Sequence, residues 1–134
     1  MTSPLPPLVT SLDVKRLSSL LLTRVGVAYL AEARRLREEL YRATVIASDA
    51  APPDLVTMNS TIVYEEEGEP PKEITVVYPW RSRERGVVSV LSALGTALLG
   101  RRVGAETPLG DAWNRRVRVL SLRYQPEAAG HWHL

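Results

Sequence analysis

The stretch DLVTMNSTIVYEEEGEPPKEITVVYP, residues 54–79, is where the chain changes from helical to alternating pattern. Within it VTMNSTIVYEE (56–66) alternates, with Val56, Met58, Ile62 and Tyr64 on one face. Side chains two residues apart share one face of a strand, so this segment predicts a β-strand. EGEPP (67–71) breaks the pattern with turn residues, and EITVVYP (73–79) resumes it. The pair predicts an antiparallel hairpin closed by a loose acidic loop. Downstream, GVVSVL (86–91) predicts a third, short strand. SALGTALLG (92–100) predicts one or two helical turns, with Ser92 as N-cap and Gly100 as C-cap. WNRRVRVLSLRYQ (113–125) predicts the last strand. Its apolar parity slips between Val119 and Leu120, which means either a bulge or burial of both faces.

Upstream of residue 54 the period is helical. SDAAPPDL (48–55) reads as a linker, because Pro52 and Pro53 forbid helix. Thr10-Ser11-Leu12-Asp13 fits a helix start: Thr10 or Ser11 can cap, and Asp13 suits the positive N-terminal end. Val14, Leu17 and Leu21 form one apolar stripe, and the first arm is expected to end near Thr23, with Gly26 easing the turn. The second arm runs from about Val27 to Thr44. Tyr29, Ala33, Leu36, Leu40 and Ala43 follow a heptad seam on it. Two such stripes joined by a tight turn predict a short helical hairpin. Leu20, Leu22 and Leu30 broaden its apolar face, so two helices lying flat on the sheet is the other arrangement that the pattern allows. Residues 1–9 carry three prolines and are expected to form an extended, frayed lead-in.

The expectation is an α+β chain. Its divisions are a lead-in (1–9), a helical hairpin (10–46), a linker (47–54), a β-rich domain (55–130) and a tail (131–134). At 134 residues with 45% apolar composition, the chain is long enough for one core. No apolar run approaches the ~20 residues that span a bilayer. The first residues lack a basic, then apolar, leader pattern, and a cytoplasmic location is expected. There is no cysteine, which excludes a disulfide framework and thiolate metal sites. Net charge is only +2 but lopsided. Seven acids and one base lie between Asp49 and Glu73, and nine arginines and three acids between Trp80 and Arg123. Such a layout suggests electrostatic docking to a partner.

Catalytic constellations are thin, and no enzyme activity, cofactor or metal is expected. The two histidines, His131 and His133, sit in the tail, and two ligands at a chain end fall short of a metal site. GRRVGAETPLG (100–110) lacks the spacing of a phosphate loop. Arg81, Arg83, Arg85, Arg101, Arg102, Arg115, Arg116 and Arg118 can contact phosphates. With three Trp, five Tyr and no Phe, there is no interleaved aromatic platform for a single strand. An acidic protein surface suits them at least as well.

DLVTMNSTIVY (54–64), VVYP (76–79), SALGTALLGRRVG (92–104) and RYQPEAAG (123–130) together resemble the Rnk proteins. These are named as regulators of nucleoside diphosphate kinase and are relatives of the Gre transcript-cleavage factors. The resemblance covers the β-rich part in order, while the N-terminal match is architectural. It implies an FKBP-like half-open antiparallel sheet with one short helix, preceded by a coiled-coil hairpin. It also implies binding to bacterial RNA polymerase at the rim of its secondary channel. In Gre factors acids at the hairpin tip help hold a catalytic magnesium. Here no Asp or Glu lies between Asp13 and Glu32, and the tip is Arg24, Val25, Gly26 and Val27. A magnesium site needs oxygen ligands, and Arg24 repels the ion. The arms, at about 13 to 18 helical residues, span only ~20–27 Å. The resemblance therefore implies a non-cleaving occupant of the channel that competes with Gre-type factors. It maps the rim contact to Leu91, Ser92, Ala93 and Leu94, with Arg101 and Arg102 following. Relatives usually carry proline at position 93, and the VGD of relatives is Val103-Gly104-Ala105 here.

Three other readings compete. An FKBP-like fold also hosts prolyl isomerases, whose aromatic pocket a chain without Phe is poorly equipped to build. A second is an interaction module for a different partner, such as nucleoside diphosphate kinase. A third is self-association through Leu20, Leu22 and Leu30.

Overall fold

The computed structural model describes residues 5–110 and 112–131. The chain runs β1 (Leu8–Thr10), α1 (Ser11–Leu21), α2 (Arg24–Ala28), α3 (Leu30–Arg42) and β2 (Thr44–Ile46). It continues through β3 (Thr61–Glu66), β4 (Lys72–Val77), β5 (Val87–Ser89), α4 (Ala93–Leu98), β6 (Glu106–Leu109), β7 (Ala112–Tyr124) and α5 (Pro126–Ala129). Five strands form one sheet in the order β5-β4-β3-β7-β6, and β1 pairs with β2 in a small parallel ribbon. The expected α+β class is what the chain adopts.

The hairpin read from residues 54–79 is β3–β4, but its first strand begins late. Residues 56–60 are a turn that inserts Val56 and Met58 into the core without forming a ladder. Asn59 stands at φ 66°, a left-handed position that asparagine tolerates. The Ser60 hydroxyl accepts from Thr57 N at 2.9 Å, and Asn59 N donates to Val76 O at 2.7 Å. Alternation therefore identified the buried side chains correctly but not the backbone that carries them.

The parity slip in the last strand is a bulge. Val63 faces Ser121 and Tyr64 faces Val119, which leaves Leu120 as the extra residue. The sheet is not antiparallel throughout. β5 runs parallel to β4, with Thr75 opposite Val87. Its three residues require the connection to retrace only ~10 Å, so residues 78–86 suffice. Besides the three-residue strands β1 and β2, two elements carried no periodic signal. These are β6, an edge strand that tolerates Pro108, and α5, which opens on Pro126 and closes on left-handed Gly130.

The larger correction concerns the N-terminal helices. Leu17, Leu20 and Leu21 of α1 and Ala33 and Leu36 of α3 belong to the same buried cluster as Val56, Met58, Val76, Tyr78 and Leu98. The helices lie against the β-rich part, the alternative that the broad apolar face allowed. Packing both arms on the body buries more apolar surface than a two-helix seam alone, at ~25 cal/mol per Å². In the predicted seam, Ala33 and Leu36 are buried, whereas Tyr29 is exposed. The lead-in is pinned rather than frayed over residues 7–10: Leu8 N donates to Gly100 O at 3.0 Å, and Thr44 N to Pro7 O at 2.9 Å. Gly100, at φ 81°, is held by this contact, since a Cβ would stand 2.5 Å from Pro7 Cβ.

Candidate functional site

Two polar assemblies and one exposed face emerge from this packing. The first assembly locks the helices to the sheet. Thr10 caps α1, its hydroxyl accepting from Asp13 N at 3.2 Å. Asp13 itself is 3% exposed. Its carboxylate accepts from Met58 N at 3.0 Å, outside its own helix. Burial, with Glu127 nearby, raises its pKa from 3.8 to about 6, against the opposing effect of the Met58 hydrogen bond. Burial likewise lifts the Tyr78 hydroxyl to about 12, with Asp13 adding to the shift. Thr57 Oγ1 donates to Glu127 at 2.6 Å, and Gln125 Nε2 donates to Pro52 O at 2.7 Å and Leu55 O at 2.8 Å. The segments VTMNS and YQPEAAG thus meet and brace each other. The sequence showed Asp13 only as a helix-dipole residue. That its carboxylate would be captured by a backbone 45 residues away had no local signal.

The second assembly centres on Arg101. It is 6% exposed, and its guanidinium donates to Ala97 O at 3.3 Å, to Leu5 O and to Glu39 at 3.4 Å. Burial holds its pKa below the usual arginine value, although Glu39 opposes the shift. Arg101, expected to meet a partner, is buried in the chain, where its hydrogen bonds tie the lead-in, α3 and α4 together. Arg102, by contrast, is exposed and pairs with Asp54 at 2.8 Å.

The charge asymmetry is largely resolved inside the chain. Arg115 pairs with Glu66 at 2.5 Å, Arg116 and Arg118 with Glu106 at 2.9 and 3.0 Å, and Arg123 with Glu73 at 3.5 Å. Arg81 makes a two-pronged contact with Glu84 at 2.8 and 3.0 Å. These arginines hold the carboxyls of Glu66, Glu84 and Glu106 below their ordinary value. Glu66 and Glu73 of the acidic block thus meet Arg115 and Arg123 of β7, while Glu106 on the adjacent strand β6 meets Arg116 and Arg118. Among the described residues of the arginine-rich half, Arg83 and Arg85 carry no such partner.

The predicted tip residues fall at and within α2. Arg24 and Val27 are exposed, and Val25 is half-buried against the core. Gly26 is buried, and its role is close approach: a Cβ would lie 2.1 Å from Leu21 O. Downstream, Ser92 caps α4, its hydroxyl accepting from Gly95 N at 3.0 Å and donating to Ser89 O at 2.7 Å. Leu91 is buried, and Ser92, Ala93 and Leu94 are half-buried.

Tyr29, two residues past the predicted tip, lies near part of the predicted 91–94 set. The α2–α3 junction at Tyr29 shares a groove with Leu91 and Ser92, and Pro79 and Ser82 form its other wall. Farther along α3, Arg35, Glu38 and Glu39 line a second groove with Ala93, Thr96 and Ala97. Trp80 was missed as a site residue. It is 69% exposed, yet its ring stacks on Tyr78 with centroids 4.8 Å apart and planes 2° apart. Its only sequence signal was a tryptophan beside a proline in a polar loop. Among the described residues no three His, Cys, Asp or Glu side chains come together as a metal site. His131 pairs with Tyr124, and His133 lies outside the described residues. No helix among them is long and apolar enough to cross a membrane.

Comparison with known proteins bears on this arrangement. Residues 51–124 match the family model for the C-terminal part of the transcription elongation factors GreA/GreB, and residues 8–46 match that for the Rnk N-terminus. The chain is 37% identical over 133 residues to the regulator of nucleoside diphosphate kinase of Escherichia coli (strain K12), covering 95% of this chain and 96% of that protein. The same values hold for the Shigella flexneri protein of that name. Among solved structures, a prokaryotic transcription elongation factor GreA/GreB from Nitrosomonas europaea superposes with a TM-score of 0.69 at 34% identity, covering 88% of this chain and 99% of that one.

Proposed function

From the premise that the chain belongs to the Rnk family, whose C-terminal part is GreA/GreB-like, we propose that it is a non-catalytic regulator of bacterial transcription. It binds RNA polymerase at the entrance of the secondary channel, competes there with Gre-type factors, and does not stimulate transcript cleavage. The observation that carries the reading is the acid-free turn between the helical arms. No carboxylate lies between Asp13 and Glu32, and the charged group at the turn is Arg24. Divalent metal catalysis of phosphodiester cleavage requires oxygen ligands at the reacting end, which this turn does not supply.

Placement of the arms supports occupancy of the entrance rather than deep insertion. α1 and α3 have 11 and 13 residues and are packed along the body. At 1.5 Å per residue they are ~16 and ~20 Å long. The face available for the rim comprises the α2 turn, the start of α3 and residues 91–94. The test is a cleavage assay on stalled elongation complexes with a Gre factor titrated against this chain. The expected result is no cleavage above buffer and a graded loss of the Gre-stimulated cleavage. Stimulated cleavage by this chain alone would overturn the proposal, as would undiminished Gre activity at saturating concentration.

A further inference from the structure

We infer that loop 79–86, with Tyr29 across the groove from it, is a docking face for an acidic protein surface. The sorting of arginines in the C-terminal half is the starting observation. Most are engaged with carboxylates of this chain, whereas Arg83 and Arg85 stand exposed without a partner among the described residues. Both belong to the loop that carries Trp80. A large aromatic side chain exposed to water is commonly mobile, but this one is held by its parallel stack on buried Tyr78. Arg81 stiffens the same loop by bonding Glu84 and, at 3.1 Å, Asn59 Oδ1. An aromatic anchor fixed before binding loses little conformational freedom on docking.

The surroundings match a protein interface in composition. Pro79, which precedes the tryptophan, and Leu91 line a groove with exposed Tyr29, and serines and Glu32 make up the rest of its lining. Tryptophan, tyrosine and arginine are the residue types that dominate interface energetics, with charged groups at the rim. These two cations, unpaired among the described residues, set the sign of the partner: carboxylates around an apolar projection. Single-stranded nucleic acid fits less well. One face of Trp80 is already stacked on Tyr78, which leaves a single face for a base. The inference deepens the proposed function by naming the face and the chemistry of its partner, and it rests on that reading only for the identity of the partner.

The test uses the full chain and two probes, a fluorescent peptide of alternating glutamate and leucine and a single-stranded oligonucleotide of equal charge. The variants are Arg83→Glu with Arg85→Glu, and separately Trp80→Ala. A control variant, Arg34→Glu with Arg37→Glu, makes the same charge change on the exposed side of α3, and circular dichroism checks that each variant folds. The expected result is peptide binding that weakens about tenfold or more in both loop variants, by less than about twofold in the control, and falls with salt. Equal peptide binding by all variants, absence of peptide binding, or tighter loop-dependent binding of the oligonucleotide would overturn the inference. A pulldown with core RNA polymerase separates the two claims. Wild-type chain that fails to retain polymerase refutes the proposed function, while the peptide titration still decides the docking face. Retention lost in the same loop variants joins the two.

Discussion

Replacing Asp13 with asparagine should flatten one component of the pH dependence of folding. The carboxyl has an ordinary pKa of 3.8 and is raised to about 6 in the folded chain, chiefly by burial. Between these values the folded chain binds a proton that the unfolded chain has released. Its contribution to stability is therefore fully present below about 3.8 and is lost as pH rises through about 6. At 1.36 kcal/mol per pKa unit, the whole swing is about 3 kcal/mol, of which ~1.3 kcal/mol falls between about pH 7 and about pH 5. Asparagine keeps an oxygen to accept from Met58 N and does not titrate. Urea unfolding of both proteins across this range gives the difference directly, with the m-value checking that the unfolded states are comparable. Surface carboxylates such as Glu66 and Glu106 titrate in both proteins and cancel. Wild type should gain on the Asp13→Asn variant as pH falls. A difference that stays constant within ~0.3 kcal/mol, or that moves the other way, refutes the account of a desolvated carboxylate tying α1 to the turn at Met58.

Other outcomes follow from the same packing. Gly95→Ala should destabilise the fold by about 3 kcal/mol or prevent folding, because its Cβ would stand 2.1 Å from Ser89 O, a backbone atom that cannot yield. Equilibrium unfolding measures it, and a change under ~0.5 kcal/mol would show that the α4 turn sits farther from Ser89 than described. Gln125→Ala should cost about 1–3 kcal/mol in the same measurement by stripping the carbonyls of Pro52 and Leu55 of their shared donor. Arg101→Met keeps an apolar stem but deletes the bonds to Leu5, Ala97 and Glu39. A loss of about 2 kcal/mol is expected, together with faster hydrogen exchange at Leu8 and Thr44, whose amides hold the lead-in in place.

The candidate site was partly legible in the sequence. The absence of acids between Asp13 and Glu32 is a fact of composition that no folding alters, and it is the ground for expecting no cleavage activity. Residues 91–94 were identified through resemblance, and Ser92 caps its helix as its residue type allows. Trp80, Arg83 and Arg85 were not separable from their neighbours beforehand. Which arginine is free depends on which carboxylate lies on the adjacent strand: Glu106 stands directly opposite Arg118, and Glu66, opposite Val117, reaches Arg115 two residues along β7.

Local pattern determined the strands β3, β4 and β7, the cap at Ser92 and the two helical arms, and it narrowed the slip near Leu120 and the cap of α1 to two readings each. Each depends on residues within a few positions of one another, through side-chain alternation, helical period or a hydroxyl three residues from an amide. The tertiary structure alone decided that the arms lie on the body, that Arg101 is buried, and that Asp13 reaches Met58. It also decided that the α2 turn stands beside the loop at residues 79–86. These contacts join segments tens of residues apart, and they form because burying Leu17, Leu20, Ala33 and Leu36 against the sheet removes more apolar surface from water than the two-helix seam can on its own.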